Sequence, residues 1–408
     1  MESHQAALVS LIEKLAAVTK VDSDGKVSFV GWEATEYFDL LISALLPKCK
    51  ICDTNKYRLT HKAILNAVQK EKFTLESIQA EINKAVRTYF DKQYNTYVIV
   101  TMVSVFPDCL NKYTTYAGKR INFCRKLPNK FQLARDRIVA DACRTLKCNI
   151  PDDYSYLWLN VSARDVSDAI ATGFKILDEL RALWNFSHNY HGGRTYYSGP
   201  PKPVNKITFC PIHTVHDLNG KLSDDFWWYN PEYKNNITPF RDKKEFSKIL
   251  IRTASISRRL IKTKLRDRIL ESLTRYSDAL DSADCNVAIL RLWAELECLT
   301  STRFASYDML IKRCSFVFID REFAKLELNE IKKHRNMYAH EGSSNSTLQE
   351  HLMYSAKKYV EGLLHFLIIN GHFFASMDEA GIFFDLPSDS SKLGRQIELL
   401  RKAKSYFD

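Results

Sequence analysis

The run Arg335-Asn336-Met337-Tyr338-Ala339-His340 puts a guanidinium, an amide and an imidazole on one short piece of chain. If that piece is helical, Asn336 and His340 stand four residues apart and project from the same face. Arg335 starts about 100° round the cylinder, and its long side chain can swing back to the same edge. Such a set suits cleavage of RNA without a metal. The 2′-hydroxyl of RNA is a nucleophile lying beside its own phosphate. An imidazole titrating near neutral pH can take the 2′ proton or protonate the departing 5′ oxygen. A guanidinium can hold two phosphate oxygens and stabilise the charge that builds up between them. The expected products are a 2′,3′-cyclic phosphate and a 5′-hydroxyl end. Glu297 is expected to join this set. It falls on or beside an apolar stripe, four residues after Trp293, so its charge needs a partner, and Arg335 or His340 of a neighbouring helix would serve.

A second stretch has the same residue types. Arg181, Asn185 and His188 lie within Arg181-Ala182-Leu183-Trp184-Asn185-Phe186-Ser187-His188. Nearly two helical turns separate Arg181 from His188, so both face one way. Two such motifs could build a composite site within one chain. Trp184 and Leu177 share that face, however, which favours a structural use of Arg181. Arg258, Arg259, Lys262 and Lys264 belong to a dense basic segment over 252–268, suited either to phosphates along a groove or to a solvated helix face. Cys49 and Cys52 form a CxxC with His61 downstream. A structural zinc site needs four ligands and no second pair is evident, so these read as ordinary thiols. His213 and His216 beside Asp217 read as a polar turn rather than a metal site. No metal or other cofactor is expected.

The elements that position these residues read as mainly α. Residues 1–191 are expected to form a helical region, regulatory or a second bundle. Its longest helix runs over 162–189 on the stripe Val166, Ile170, Phe174, Leu177, Leu180 and Trp184. Ser162 with Asp165 forms its capping box, and Gly192-Gly193 its end. Residues 192–245 carry Gly199-Pro200-Pro201-Lys202-Pro203, then two strand-like runs, Ile207–Cys210 and Phe226–Tyr229, separated by Asn219-Gly220. They predict an irregular connector with a small hairpin. Residues 246–408 return to helices. One spans about 286–300 with Ile289, Leu292, Trp293, Leu296 and Leu299 inward. Another spans 322–341 with Phe323, Leu326, Leu328 and Ile331. Gly342 and Ser343–Ser346 end it, and Thr347 with Glu350 caps a third that runs to Asn370-Gly371. These predict a bundle of four or more helices.

The stretch His334–Gly342, after the helix Leu292-Trp293-Ala294-Glu295-Leu296-Glu297-Cys298-Leu299, resembles the core of HEPN domains, named for higher eukaryotes and prokaryotes nucleotide-binding. The resemblance covers roughly residues 246–375 and is nearest in character to the Apea-like and abortive-infection branches. It implies an up-and-down bundle of four or five helices, ribonuclease activity, and a site assembled where two such domains face each other. It also implies service as a toxin or anti-phage effector. One toxin–antitoxin branch carries a modified Tyr two residues after its His. This chain has Gly342 there, so that regulation is not inferred.

Composition is consistent with a globular RNA partner. The net charge is +11 over 408 residues, 45 % of them hydrophobic, and a basic balance favours polyanions. Ten Cys lack a framework spacing. The N-terminus has no secretory pattern, and no apolar run approaches the ~20 residues of a membrane span. The expectation is a cytoplasmic homodimer without a membrane partner, with any activating ligand or defence-system partner unspecified. The alternative is a non-catalytic helical scaffold that binds RNA or protein through a degenerate HEPN domain.

Overall fold

The computed structural model describes residues 2–24, 26–70, 72–190, 202–224, 227–230, 233, 237–302, 306–341 and 348–407. It is mostly helical, with a smaller antiparallel sheet.

The chain opens with α1 (Glu2–Ala17), a short hairpin of β1 (Thr19–Val21) and β2 (Val27–Phe29), then α2 (Glu33–Leu45), α3 (Asp53–Gln69) and α4 (Leu75–Phe90). These close round their own core of Leu15, Leu41, Ile64 and Ile78.

The next stretch departs from the sequence expectation. Residues 1–191 are not helical throughout, because β3 (Asn95–Val103), β4 (Tyr113–Tyr116), β5 (Lys119–Cys124) and β6 (Ser155–Ala163) lie inside that range, with α5 (Asn129–Leu146) between β5 and β6. After α6 (Val166–Asn189) the sheet is completed by β7 (Ile212–His216) and β8 (Trp228–Tyr229), in the order β4-β5-β6-β3-β7-β8. The connector therefore adds edge strands to a sheet whose centre is earlier in the chain. β3 and β6 pair from Asn95 opposite Ala163 to Val103 opposite Ser155. Every residue from Val98 to Val103 is buried, because α6 covers one face of the sheet and α5 the other. A strand buried on both faces reads as one apolar run, which periodicity cannot tell from a buried helix. On the α5 side Arg135, 1 % exposed, donates to Val100 O at 3.1 Å, Ile212 O at 3.0 Å and Thr214 Oγ1 at 2.8 Å.

The strand expected at Ile207–Cys210 is also displaced. That run makes only irregular bonds to β3, Thr208 O accepting from Ser104 N and Cys210 N donating to Met102 O, and the regular strand follows it at 212–216. Phe226 lies outside the described residues. Asn219-Gly220 does turn the chain after β7, with Gly220 at φ +97° and packed so close to Lys130 O that a Cβ would meet it at 2.1 Å.

α6 is the hinge of the packing. Asp165 caps it, accepting from Asp168 N at 2.9 Å, while Ser162 belongs to β6. Gly192, Gly193 and Gly199–Pro201 lie outside the described residues. Leu177, Leu180 and Trp184 face the sheet, and Ala182, Leu183 and Phe186 face the C-terminal helices. The helix is thus apolar nearly all round, as a helix packed between two layers must be. Gly173 lets it lie against the sheet, since a Cβ there would stand 2.0 Å from Ile99 Cδ1.

The C-terminal helices are α7 (Lys243–Leu260), α8 (Arg266–Leu280), α9 (Cys285–Leu299), α10 (Tyr307–Ser315), α11 (Arg321–Glu341), α12 (Gln349–Asn370), α13 (Met377–Phe384) and α14 (Ser390–Lys404). One core joins α8, α9, α11 and α12. The stripe expected on α9 is buried in full, but on α11 only Leu328 and Ile331 are; Phe323 and Leu326 are 53 % and 68 % exposed. Gly342–Thr347 lie outside the described residues. A buried polar tie fastens the layers: Lys357 Nζ of α12 donates to Asn189 O of α6 and pairs with Glu361, each at 2.9 Å, and Tyr276 of α8 donates to the same carboxylate. Burial raises the Glu361 carboxyl even with Lys357 beside it. No single helix among the described residues is long and apolar enough to cross a membrane.

Candidate active site

The last two turns of α11 carry Arg335, Asn336 and His340. His334 sets how they emerge. It is 4 % exposed and its Nε2 lies 2.8 Å from Asn286 Oδ1 of α9, so it locks the inner face of α11. Arg335, one residue on, comes out at the edge of the core and is half-buried, as is Asn336. Arg335 Nη1 donates to Asn336 Oδ1 at 3.0 Å and to Tyr307 Oη at 3.1 Å. The guanidinium has therefore swung onto the Asn336 edge, as the sequence suggested. His340 is exposed on the final turn.

Arg335 forms no ion pair with any described carboxylate, and its Nε and Nη2 donate to no described residue. Lys332 stands nearby, with Nζ 5.3 Å from the Tyr307 ring, and it pairs with Asp308 Oδ1 at 3.7 Å. A planar cation held by two neutral oxygens keeps its full charge and its unused donors for an incoming anion.

Glu297 does not take the expected place. Its Oε1 accepts from Trp293 Nε1 at 3.0 Å. Trp293 packs edge-on against Tyr307 at 5.9 Å, and Tyr307 meets Arg335. The carboxylate is linked to the guanidinium through two aromatic rings instead of directly, because α10 is wedged between them. Tyr307 went unnoticed in the sequence. Its only local signal is the Ser306 cap, which accepts from Met309 N at 3.3 Å and starts α10; nothing local joins it to a residue 28 positions on.

The second motif is built into the core. Arg181 is 5 % exposed and donates to Asp281 Oδ2 at 2.6 Å and Asp278 Oδ1 at 3.0 Å, with Asp178 Oδ1 3.8 Å from its Nε. Asn185 Nδ2 donates to Ile207 O at 2.8 Å and its Oδ1 accepts from Ile207 N at 3.2 Å, pinning the connector. His188 packs edge-on against Phe240 at 5.3 Å, and burial holds its imidazole below the usual range. The same residue types thus have opposite surroundings: Arg181 is surrounded by carboxylates, and Arg335 pairs with none among the described residues.

Arg258, Arg259, Lys262 and Lys264 are exposed and form no ion pair with a described residue. They lie at the turn between α7 and α8, where Thr263 Oγ1 donates to Gly371 O at the far end of α12. With a rise of about 1.5 Å per residue, α12 separates this turn from residue 349, where the chain arrives from α11, by roughly 33 Å. The structure does not bring the basic turn to the Arg335 edge. His213 and His216 form no polar turn; both are buried in β7 and face opposite sides of the sheet, His213 against Phe174 of α6 and His216 against Phe131 of α5. All ten cysteines are free. His61 packs on Phe38 and Tyr57, and no described group of three or more His, Cys, Asp or Glu side chains could hold a metal.

The chain matches no family model, no curated protein and no solved structure.

Proposed function

We propose that this chain is a HEPN-like, metal-independent endoribonuclease acting at the Arg335–Asn336–His340 edge as a homodimer, in the manner of a toxin or anti-phage effector. The observation that carries the reading is the guanidinium of Arg335, which pairs with no described carboxylate and is held by Tyr307 and Asn336, on the same helix end as the exposed His340. A cation kept clear of carboxylates at a protein edge suits a phosphate, and an imidazole on the same edge suits proton transfer to and from it.

One imidazole takes the 2′ proton as the 2′ oxygen bonds to phosphorus. The bond from phosphorus to the 5′ oxygen breaks, and a second, protonated imidazole gives that oxygen its proton. The products are the cyclic phosphate and the 5′-hydroxyl. One edge offers one His340, so a second copy related by a two-fold axis supplies the other, and two-fold dimers are the commonest closed assembly.

The test is cleavage of a generic RNA in EDTA by purified protein, with His340→Ala as control. Cyclic phosphate ends from the wild type and none from the variant are expected. Activity that chelation abolishes and magnesium restores would overturn the chemistry. Intact folded protein that binds RNA without cutting it would leave the scaffold reading instead. For the dimer, excess His340→Ala should lower activity per wild-type subunit as mixed dimers form. A monomer by light scattering, fully active at nanomolar concentration, would refute the shared site.

A further inference from the structure

Away from the Arg335 edge, a cavity of about 300 Å³ opens where α6 and α8 meet the β7–β8 side of the sheet. One wall is aromatic, formed by Phe174, Phe209 and Trp228. His213 stands beside them, 5 % exposed, with its ring 4.4 Å from Phe174. Its Nδ1 lies 2.7 Å from Thr101 Oγ1, and its Nε2 has no partner among the described residues. That nitrogen is not sealed from solvent, so an occupant of the cavity can reach it.

Carboxylates line the cavity beside these rings: Asp178 stands one turn from Phe174 on α6, and Asp278 and Asp281 come from the end of α8. Asp281 is satisfied at both oxygens, by Arg181 at 2.6 Å and Asn205 Nδ2 at 2.7 Å. Asp278 uses only Oδ1, on Arg181. Asp178 accepts no hydrogen bond from a described residue, its nearest cation being Arg181 Nε at 3.8 Å. Among the described residues, three carboxylates, Asp178, Asp278 and Asp281, and two guanidiniums, Arg181 and Arg291, line the cavity, and Arg181 lies within 4 Å of all three carboxylates. Burial and Arg135 push the His213 imidazole down to about 3, so it adds no positive charge.

We infer that this cavity binds a small organic cation that carries N–H donors on a flat apolar body. Phe174 and Trp228 receive the flat body, since a cation is attracted to the face of an aromatic ring. Asp178 and the unused Asp278 oxygen take the donors, and charge-assisted bonds of this kind are the strong ones. His213 Nε2 completes the set. An anion would face Asp178 and Asp278, and a neutral apolar molecule would leave both without donors. The site draws on the sheet through β7 and β8 and on the bundle through α8 and α9, so an occupant bridges the two layers.

Binding should depend on pH. Burial pushes the Asp178 carboxyl up to about 6; Arg181 opposes this, and Asp278, Asp281 and Glu179 add to it. The carboxylate that receives the cation is therefore lost as pH falls through that range.

The experiment is isothermal titration of the full chain at pH 7.5, without RNA, using benzamidinium as the flat cation, benzamide as its uncharged isostere and agmatine as a cation without a flat body. Benzamidinium should bind more tightly than agmatine and at least about tenfold tighter than benzamide, the scale of one charge-assisted hydrogen bond. Asp178→Asn should weaken benzamidinium about tenfold and leave benzamide unchanged, and wild-type affinity for the cation should fall from pH 7.5 to pH 5. If Asp178→Asn does not melt cooperatively, Trp228→Ala replaces it with the same expected loss. No binding of benzamidinium, equal binding of amide and amidinium, or an affinity indifferent to the substitution would overturn the inference. None of these readouts involves RNA cleavage, so the site stands or falls apart from the nuclease proposal.

Discussion

Replacing Arg181 by Met removes the guanidinium that stands among Asp178, Asp278 and Asp281 and keeps most of the side-chain volume. The side chain is 6 % exposed, and its two hydrogen-bonded partners are 17 % (Asp281) and 50 % (Asp278) exposed. Removing one partner of a buried pair costs about 3–5 kcal/mol. Asp278 can rehydrate, which puts the expected cost near the lower figure, about 3 kcal/mol. Unfolding entropy of roughly 2.1 cal/mol/K per residue, taken over 408 residues, is about 0.86 kcal/mol/K. The melting temperature should then fall by about 4 °C at pH 7.5. The sign of the pH dependence follows from the carboxyls. Asp178 is pushed up to about 6 and Asp278 is raised, in each case first by burial, with Arg181 opposing. Without Arg181 both rise further, so the folded variant binds more protons than the folded wild type through the range from about 4 to 7. The deficit should therefore be larger at pH 7.5 than at pH 5. Thermal melts of both proteins at the two pH values are the assay. A variant melting within 1 °C of wild type at pH 7.5, or a deficit that grows toward pH 5, would refute this account of the α6–α8 junction.

The other Arg motif should behave in the opposite way. Arg335→Ala and His340→Ala should each abolish RNA cleavage while lowering stability by no more than about 1.5 kcal/mol, since Arg335 is half-buried and pairs with no described carboxylate, and His340 is exposed; a urea melt beside the cleavage assay checks both. Glu297→Ala leaves Trp293 Nε1 without its acceptor, and an orphaned buried donor costs about 1–3 kcal/mol; a loss well above that in the same melt would restore a direct pairing with Arg335. Lys357→Met strands the buried Glu361 carboxylate and should cost about 3–5 kcal/mol. Because Glu361 is already raised, losing Lys357 raises it further, so that loss should be greater at pH 8 than at pH 5, and the double variant Lys357→Met/Glu361→Gln should recover much of it.

What could be read without the fold is what the chain sets locally. The α9 stripe, the span of α11 and the length of α12 follow from side chains three and four apart on one cylinder. Asn336 and His340 share an edge for the same reason, and Arg335 reaches it because its own backbone starts one residue away. The sheet was hidden because β3 is buried on both faces, so Tyr97–Phe106 carries no alternation, and its partner β6 lies beyond an intervening hairpin and helix. On α11 the period alone does not tell that Phe323 and Leu326 stay largely exposed, Phe323 with Lys358 over its ring. The roles of the two arginines were decided only in three dimensions. Arg181 and Arg335 are followed by similar residues, and a guanidinium is the same cation in both. What separates them is that α8 delivers Asp278 and Asp281 to one, and α10 delivers the hydroxyl of Tyr307 to the other. Which charges meet is a property of how helices distant in sequence pack, and local spacing does not contain it.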